Sequence, residues 1–292
     1  MKRVRLDSLL SQRGVFSSRS RAAASVMAGE VMLLPGRRRA EKPGQLVAED
    51  VELELTGGPA FVSRGGVKLS NALDAFGLDV DGRCALDVGA STGGFTDCLL
   101  RRGAAHVIAL DVAYGQLDWA LRSDTRVTVI ERRNARSLAV GELPYAPDLT
   151  VIDVSFISVL KVLGPALACA AERFDVVALI KPQFEVGPAS VGKGGVVRDP
   201  DLRRRVLIDV GRAAVGLGAT VLGYASSGLP GPKGNRESFI WLAEAGRGGV
   251  EDLDAAATQA EPAAEPAAPP AAQAAAEVAA ERTARDPDGG QP

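Results

Sequence analysis

The sequence predicts an α/β protein whose main domain contains a mostly parallel sheet. Seven apolar runs of strand length recur between residues 85 and 242, and helical stretches separate most of them. This alternation is typical of a parallel sheet with helices on both faces. A shorter basic segment precedes the alternating region, and an acidic segment rich in Ala and Pro follows it. We therefore expect a small α+β domain over residues 1–58, a linker over 59–62, the α/β domain over 63–246 and a disordered tail over 247–292.

The charge of the chain is divided among these segments. The net charge of -2 taken alone argues against a nucleic-acid binder. Residues 1–48, however, carry ten basic and three acidic side chains, whereas residues 249–292 carry two basic and nine acidic ones. The tail has almost no large apolar side chains, so it cannot offset the entropy cost of ordering. The near-neutral total thus hides a basic N-terminal domain.

The N-terminal segment has the signals of two short helices and a small sheet. Leu6, Leu9 and Leu10 have helical spacing ended by Gly14, and Ser17 or Ser18 can cap a second helix that runs through Ala28. Strand-like alternation follows at Val31 and Leu33 and at Val51, Leu53 and Leu55.

A basic surface on such a domain suits RNA phosphates, although a solvated charged face is the usual interpretation of such residues. The order of residues favours RNA, because it resembles the alpha-L RNA-binding motif. The resemblance rests on Arg5-Leu6-Asp7, Arg13-Gly14, Ser18-Arg19, Ala22, Gly29-Glu30-Val31 and Lys42-Pro43-Gly44. The hairpin departs from that motif, since it has Leu34-Pro35-Gly36 followed by a basic insertion. The candidate RNA-binding residues are Arg5, Arg13, Arg19, Arg21, Arg37, Arg38, Arg39, Lys42 and Arg64.

The strands and helices of the second domain can be placed from the apolar pattern. The predicted strands are Ala85 to Val88, Val107 to Asp111, Val127 to Glu131, Leu149 to Asp153, Val176 to Lys181, Thr220 to Ala225 and Phe239 to Leu242. The predicted helices run from Ser63 to about Phe76, from Phe95 to Arg102, from Ser158 to Glu172 and from Asp199 to Val215. Because ligands bind at the carboxyl ends of parallel strands, the residues that end each strand are the candidates for chemistry.

A glycine-rich loop follows the first of these strands. It lacks the G-x-G-x-x-G spacing that binds dinucleotides. An acidic start and a polar Ser-Thr turn better suit S-adenosylmethionine, which carries a positive sulfonium and no phosphate; a dinucleotide or no cofactor remain alternatives. The candidate cofactor-binding residues are Asp87, Gly89, Ala90, Ser91, Thr92, Gly93, Gly94, Phe95, Asp111, Asn134 and Asp153.

Two lysines and two carboxylates stand at strand ends or helix starts on the same side of the predicted sheet: Lys68, Asp153, Lys181 and Glu237. Each alone could be a surface ion-pair partner. As a set they favour catalysis, because burial and a neighbouring cation can make a lysine a usable general base.

The motifs together resemble the TlyA family of ribosomal RNA methyltransferases, whose second domain is similar to FtsJ-type 2'-O-ribose methyltransferases. The matching segments are Ser63-Arg64-Gly65 with Lys68, Asp87 to Phe95, Asp111 with Tyr114 to Leu117, Asn134-Ala135-Arg136, Asp153 with Ser155 to Ser158, Lys181 to Glu185, and Gly234-Asn235 with Glu237. The resemblance implies a Rossmann-like methyltransferase domain and a Lys-Asp-Lys-Glu catalytic tetrad at Lys68, Asp153, Lys181 and Glu237. It also implies S-adenosylmethionine as methyl donor and cytidine riboses in small- and large-subunit ribosomal RNA as targets, with ribosomal RNA or ribosomal subunits as partners.

Other classes of protein fit the composition less well. His106 lies in a predicted strand, and Cys84, Cys98 and Cys169 are too few and too dispersed for a zinc site, so we expect no metal. No apolar run approaches the length of a membrane span, which favours a cytoplasmic protein without a membrane partner. Two rival interpretations are an RNA-binding protein without catalysis and a membrane-active haemolysin, the historical label of the family.

Overall fold

The computed structural model describes residues 3–16, 18–56, 61–187, 190–192, 194–231 and 233–261. The predicted tail beyond residue 261 and residues 59–60 of the predicted linker lie outside these ranges. Within the described ranges, none of the helices combines the length and apolar character needed to cross a bilayer.

The N-terminal part contains two helices and two small antiparallel sheets. Its elements are β1 (Arg3–Arg5), α1 (Leu6–Gln12), α2 (Arg19–Ala28), β2 (Val31–Leu33), β3 (Arg38–Arg39), β4 (Leu46–Ala48) and β5 (Leu53–Leu55). β1 pairs with β4, and β2 lies between β3 and β5. Ser18 caps α2 by accepting a hydrogen bond from the Arg21 N–H, and Gly29 ends it with a φ of +77°. These caps agree with the sequence signals, whereas β1, β3 and β4 were not predicted.

Buried apolar side chains from both helices and the strands form a small separate core. Its fully buried members include Leu6, Leu10 and Ala22. Burial of these side chains fixes α1 and α2 against the strands.

The second part contains a seven-stranded sheet. Its strands are β6 (Cys84–Val88), β7 (His106–Leu110), β8 (Val127–Ile130), β9 (Leu149–Ile152), β10 (Asp175–Ile180), β11 (Thr220–Ser226) and β12 (Ser238–Ala243), in the spatial order β11-β12-β10-β9-β6-β7-β8. All pairings among β6 to β10 are parallel, and β12 runs antiparallel to β10 and β11. The predicted α/β class with a mostly parallel sheet is confirmed.

Helices cover both faces of this sheet. They are α3 (Arg64–Phe76), α4 (Gly94–Arg101), α5 (Trp119–Arg122), a 3-10 turn (Ala135–Ser137), α6 (Leu160–Cys169), α7 (Pro182–Glu185), α8 (Pro200–Gly216) and α9 (Leu253–Ala260). One apolar core joins α3 and α4 to one face, and a second core joins α6, α8 and α9 to the other. Asp199 caps α8 ahead of Pro200, as the sequence predicts.

The structure corrects the predicted start of the tail. Asp252 caps α9 by accepting hydrogen bonds from the N–H groups of Asp254 and Ala255. Ala257 of α9 is fully buried in the core beside α8 and β11. The prediction of disorder from residue 247 is therefore wrong for α9. The segment has few large apolar side chains, but a helix cap and a tertiary contact stabilise it.

Candidate active site

The topology brings the predicted catalytic residues to one edge of the sheet. Strands β9 and β10 end one residue earlier than predicted, so Asp153 and Lys181 are the first residues of the loops that follow them. β12 runs in the opposite direction, so Glu237, which precedes it, reaches the same edge. Lys68 lies in the second turn of α3, which packs beside α4.

These four residues line one cavity of about 740 Å³. Of the predicted cofactor-binding residues, the cavity wall includes Gly89, Ala90, Ser91, Thr92, Gly94, Phe95 and Asp153. Its wall does not include Asp87, Gly93, Asp111 or Asn134. The cavity therefore combines the predicted catalytic groups with most of the glycine-rich loop.

Two lysine-carboxylate pairs line this cavity. Lys68 Nζ donates to Glu237 Oε2, and both residues are buried, with 8% and 2% of their surface exposed. Lys181 Nζ forms an ion pair with Asp153 Oδ1 and donates a hydrogen bond of 2.8 Å to Ser155 Oγ. Charged groups that are buried in pairs, away from bulk water, can exert strong electrostatic effects on a bound ligand.

The glycine-rich loop passes close to Asp153. Gly89 has a φ of +88°, and a Cβ at this position would lie 2.5 Å from the Asp153 carbonyl oxygen. The loop can pass this close to the Asp153 backbone only because position 89 has no side chain. The same contact couples the loop to the carboxylate that pairs with Lys181.

We predict that Gly89→Ala impairs both cofactor binding and transfer, because the added methyl group displaces Asp153 and strains the backbone at a positive φ. Isothermal titration with S-adenosylmethionine, the cofactor that the sequence resemblance implies, and an assay of the implied methyl transfer check this expectation. Gly115→Ala is a matched control, since Gly115 also has a positive φ, +71°, but a Cβ there has no neighbour within 4 Å. Equal losses of binding and transfer in the two variants would contradict a role for the close contact between Gly89 and the Asp153 carbonyl.

Asp87 lies behind the loop and has no exposed surface. Its Oδ2 accepts hydrogen bonds from the N–H and Oγ1 of Thr96, at 2.9 and 2.7 Å, at the start of α4. Its Oδ1 is buried without a hydrogen-bond partner in the described chain. Asp87 thus acts on the cavity through α4 rather than by direct contact.

Burial raises the pKa of Asp87 from 3.8 to about 7. Because the folded protein holds this proton more tightly than the unfolded chain, the contribution of Asp87 to stability falls as the pH rises from 3.8 to about 7. We predict that Asp87→Asn gains stability relative to the original protein over this window, by at most about 1.4 kcal/mol per pH unit. Urea unfolding at a series of pH values measures the difference, with exposed Asp209→Asn as control; a difference that does not vary with pH would contradict the prediction.

Asp111 and Asn134 shape the neighbouring loops. Asp111 accepts hydrogen bonds of 2.7 Å from the N–H groups of Ser91 and Ala113, so it ties the glycine-rich loop to the segment after β7. Asn134 caps the 3-10 turn by accepting a hydrogen bond from the Arg136 N–H. Asp111 thus contacts the glycine-rich loop directly, whereas Asn134 shapes the turn after β8, and neither residue belongs to the cavity wall.

The structure adds residues to which the sequence analysis assigned no role. Ser155 accepts the hydrogen bond from Lys181, and Phe156 and Phe184 line the cavity with ring centroids 5.4 Å apart. Phe156 is 88% exposed and has a φ of +65°, which is unusual for a bulky side chain. Asn235 and Lys233 complete the wall near Glu237. Ser155 and Phe156 stand two and three positions after Asp153, and this proximity in sequence is the signal that could have identified them.

The predicted RNA-binding residues fall into three groups. Several are engaged in contacts that stabilise the N-terminal fold, and these are Arg5 and Arg19 with Asp7, Arg37 with Glu54, Arg13 with the carbonyls of Glu49 and Val51, and Arg39 with the carbonyl of Gly29. The Arg5 hydrogen bonds hold the pKa of Asp7 well below its usual value. Arg38 and Lys42 are exposed, and neither has an ion pair within the described chain.

Two further arginines connect the parts of the molecule near the cavity. Arg21 forms an ion pair of 3.2 Å with Asp118, the cap of α5, and Ala24 of the same helix lines the cavity. Arg64 also lines the cavity and donates to the Pro230 carbonyl at 2.9 Å. The basic N-terminal domain thus lies beside the candidate active site.

As for metals, no cluster of three or more His, Cys, Asp or Glu suited to an ion occurs in the described ranges.

Comparison with known proteins identifies the family. The model of FtsJ-like methyltransferases matches residues 61–244. The 16S/23S rRNA (cytidine-2'-O)-methyltransferase TlyA of Mycobacterium tuberculosis is 50% identical over 245 residues, which cover 82% of this chain and 90% of that protein. Hemolysin A of Brachyspira hyodysenteriae is 39% identical over 236 residues, which cover 80% of this chain and 97% of that protein. A solved structure of a hemolysin-named protein from Streptococcus thermophilus has a TM-score of 0.69 and 38% identity, with 89% of this chain and 96% of that one covered. The chain therefore belongs to the TlyA family of FtsJ-like methyltransferases.

Proposed function

We propose that the protein transfers a methyl group from S-adenosylmethionine to the ribose 2'-hydroxyl of cytidine in ribosomal RNA of the small and large subunits. The observation that carries this proposal is one cavity lined both by a glycine-rich loop and by two lysine-carboxylate pairs, of which Lys68–Glu237 is buried and Lys181–Asp153 is partly exposed. A hydroxyl that must lose its proton while it attacks an electrophilic carbon needs this combination of groups.

The residues present suit S-adenosylmethionine, which supplies an electrophilic methyl group on a positive sulfonium when bound. The backbone from Gly89 to Thr92 and the Phe95 side chain would hold it at the cavity wall. Asp111 accepts one N–H on each carboxylate oxygen and keeps further lone pairs for ribose hydroxyls. Asn134 would lie near the adenine, and Asp87 would fix the loop from behind. The absence of a second glycine spaced to approach a pyrophosphate argues against a dinucleotide.

Lys181 is the residue that we assign as general base. In its neutral form it accepts the proton of the 2'-hydroxyl, and the Asp153 carboxylate beside it then stabilises the ammonium that forms. Because this attraction is strongest once the proton has moved, it favours the transition state over the ground state. The Lys181 hydrogen bond to Ser155 orients the amine toward the cavity.

Lys68 and Glu237 orient the substrate hydroxyl and balance charge. Both side chains are almost fully buried, so the pair has one defined geometry. Holding the hydroxyl in line with the methyl group is expected to supply much of the rate enhancement, as in other reactions that bring two substrates together.

The target nucleotide and its RNA are bound by other surfaces. A ribose hydroxyl carries no sequence information, so the choice of site must come from contacts elsewhere. The exposed ring of Phe156 and the neighbouring Phe184 offer a surface on which an unstacked base can lie. The basic N-terminal domain, with Arg38, Lys42 and the arginines around them, supplies affinity for phosphates.

Alkaline hydrolysis of labelled RNA tests the proposed reaction. A 2'-O-methyl group removes the nucleophile that cleaves RNA in alkali, so label transferred to ribose must remain in alkali-resistant dinucleotides. We expect this result after incubation of ribosomal subunits with the protein and methyl-labelled S-adenosylmethionine. Label recovered in mononucleotides would instead show methylation of a base and would overturn the proposal.

A further inference from the structure

A buried carboxylate lies at the C-terminal end of α9. Glu261, the residue that follows α9, has 4% of its surface exposed. Its Oε1 accepts a hydrogen bond of 2.8 Å from Arg203 Nε and lies 2.6 Å from Arg203 Nη2. Arg203 is itself buried in α8, with 7% of its surface exposed. Removing one partner of such a pair leaves an uncompensated buried charge.

Arg203 connects this carboxylate to the segment before α8. Its Nη1 donates to the carbonyl oxygens of Val197, at 3.2 Å, and Arg198, at 2.6 Å. The same segment contains Gly195, which lines the cavity. Glu261 and Arg203 therefore fix the path of the chain from the cavity wall into α8.

Asn235 connects this segment to the catalytic tetrad. Its Oδ1 accepts a hydrogen bond of 2.9 Å from the Val197 N–H, and its Nδ2 donates to the Gly195 carbonyl at 2.8 Å. Asn235 is 1% exposed, lines the cavity and stands two residues before Glu237, the partner of Lys68. Arg236, between them, has Nη1 at 3.7 Å from Glu261 Oε1.

We propose that Glu261 is a positioning residue. Through Arg203 and Asn235 it holds the Gly195–Arg198 segment and Glu237 in place at the cavity wall. This inference rests on the proposed function of the same site. The glycine-rich loop is held by separate contacts from Asp87 and Asp111, so the loss of Glu261 affects transfer and leaves cofactor binding unchanged.

Steady-state kinetics of full-length variants test this role at a temperature where every variant is folded. For Glu261→Ala we expect kcat to fall about tenfold or more, since a misplacement of about 1 Å can cost about 100-fold in rate. The Kd for S-adenosylmethionine should not change. Glu261→Gln keeps a hydrogen-bond acceptor for Arg203, so its kcat should fall less than that of Glu261→Ala. If the alanine variant does not fold, the kcat of Glu261→Gln is the test. Glu251→Ala is the matched control, because Glu251 is an exposed carboxylate that precedes the same helix.

A double-mutant cycle with Asn235→Ala separates positioning from general stability. If Glu261 acts through Asn235, the combined variant loses little more kcat than the more impaired single variant. A lower unfolding temperature with unchanged kcat in both Glu261 variants, or kcat losses that multiply in the double variant, would overturn the inference. Failure of the original protein to methylate ribosomal RNA would overturn the proposed function instead, so the two failures are distinguishable.

Discussion

Lys181→Ala is expected to abolish methyl transfer while leaving S-adenosylmethionine binding intact. Loss of a general base typically reduces rate by about 100- to 10,000-fold. Lys181 lies in the loop after β10 and contacts Asp153 and Ser155, whereas the glycine-rich loop is anchored by Asp87 and Asp111. Single-turnover transfer and isothermal titration measure the two properties separately.

Two control variants make this result specific. Lys161→Ala removes an exposed lysine on α6 and should have no effect. Lys181→Arg keeps a positive charge beside Asp153 but cannot accept a proton, because the guanidinium does not deprotonate in proteins. It should therefore be inactive as well. Near-normal transfer by Lys181→Ala would remove Lys181 from the role of base, and transfer by Lys181→Arg would show that only its charge matters.

The double variant Arg38→Ala/Lys42→Ala is expected to weaken binding to ribosomal RNA and to flatten its salt dependence. Both side chains are exposed on the basic N-terminal domain and show no ion pair in the described ranges. Each lost phosphate contact should reduce the slope of log affinity against log salt by about 0.7 to 0.9. Filter binding over a range of salt concentrations measures the slope.

Arg205→Ala/Arg212→Ala is the matched control for this prediction, because it removes two exposed arginines from α8. It should leave the salt slope unchanged. Unchanged affinity and slope in Arg38→Ala/Lys42→Ala would show that these two residues do not contact RNA. Arg13→Ala is a poorer probe, since Arg13 also donates to the carbonyls of Glu49 and Val51, and its loss weakens the domain itself.

The sheet and most of the site could be predicted because their signals are local. Buried parallel strands appear as continuous apolar runs, and the carboxyl end of such a strand identifies Asp153 and Lys181 directly. Glu237 was placed in the same set because it stands at the start of the last strand, but it reaches this edge only because β12 runs antiparallel beside β10, which no local pattern states.

The features that escaped prediction depend on partners distant in sequence. Glu261 is ordered by Arg203, 58 positions away, so the composition of α9 alone suggested disorder. Likewise, Arg5 and Arg19 have the same side chain as Arg38, but both contact Asp7. Sequence shows that this domain is basic, whereas only the fold shows which arginines are already engaged.

Mass spectrometry of nucleosides from ribosomal RNA tests the central claim most directly. Unmodified ribosomal subunits are incubated with methyl-labelled S-adenosylmethionine and either the original protein or Lys181→Ala, then digested completely. Our account predicts labelled 2'-O-methylcytidine with the original protein and none with the variant. Label on a base, on a nucleoside other than cytidine, or in equal amount with both proteins would contradict it.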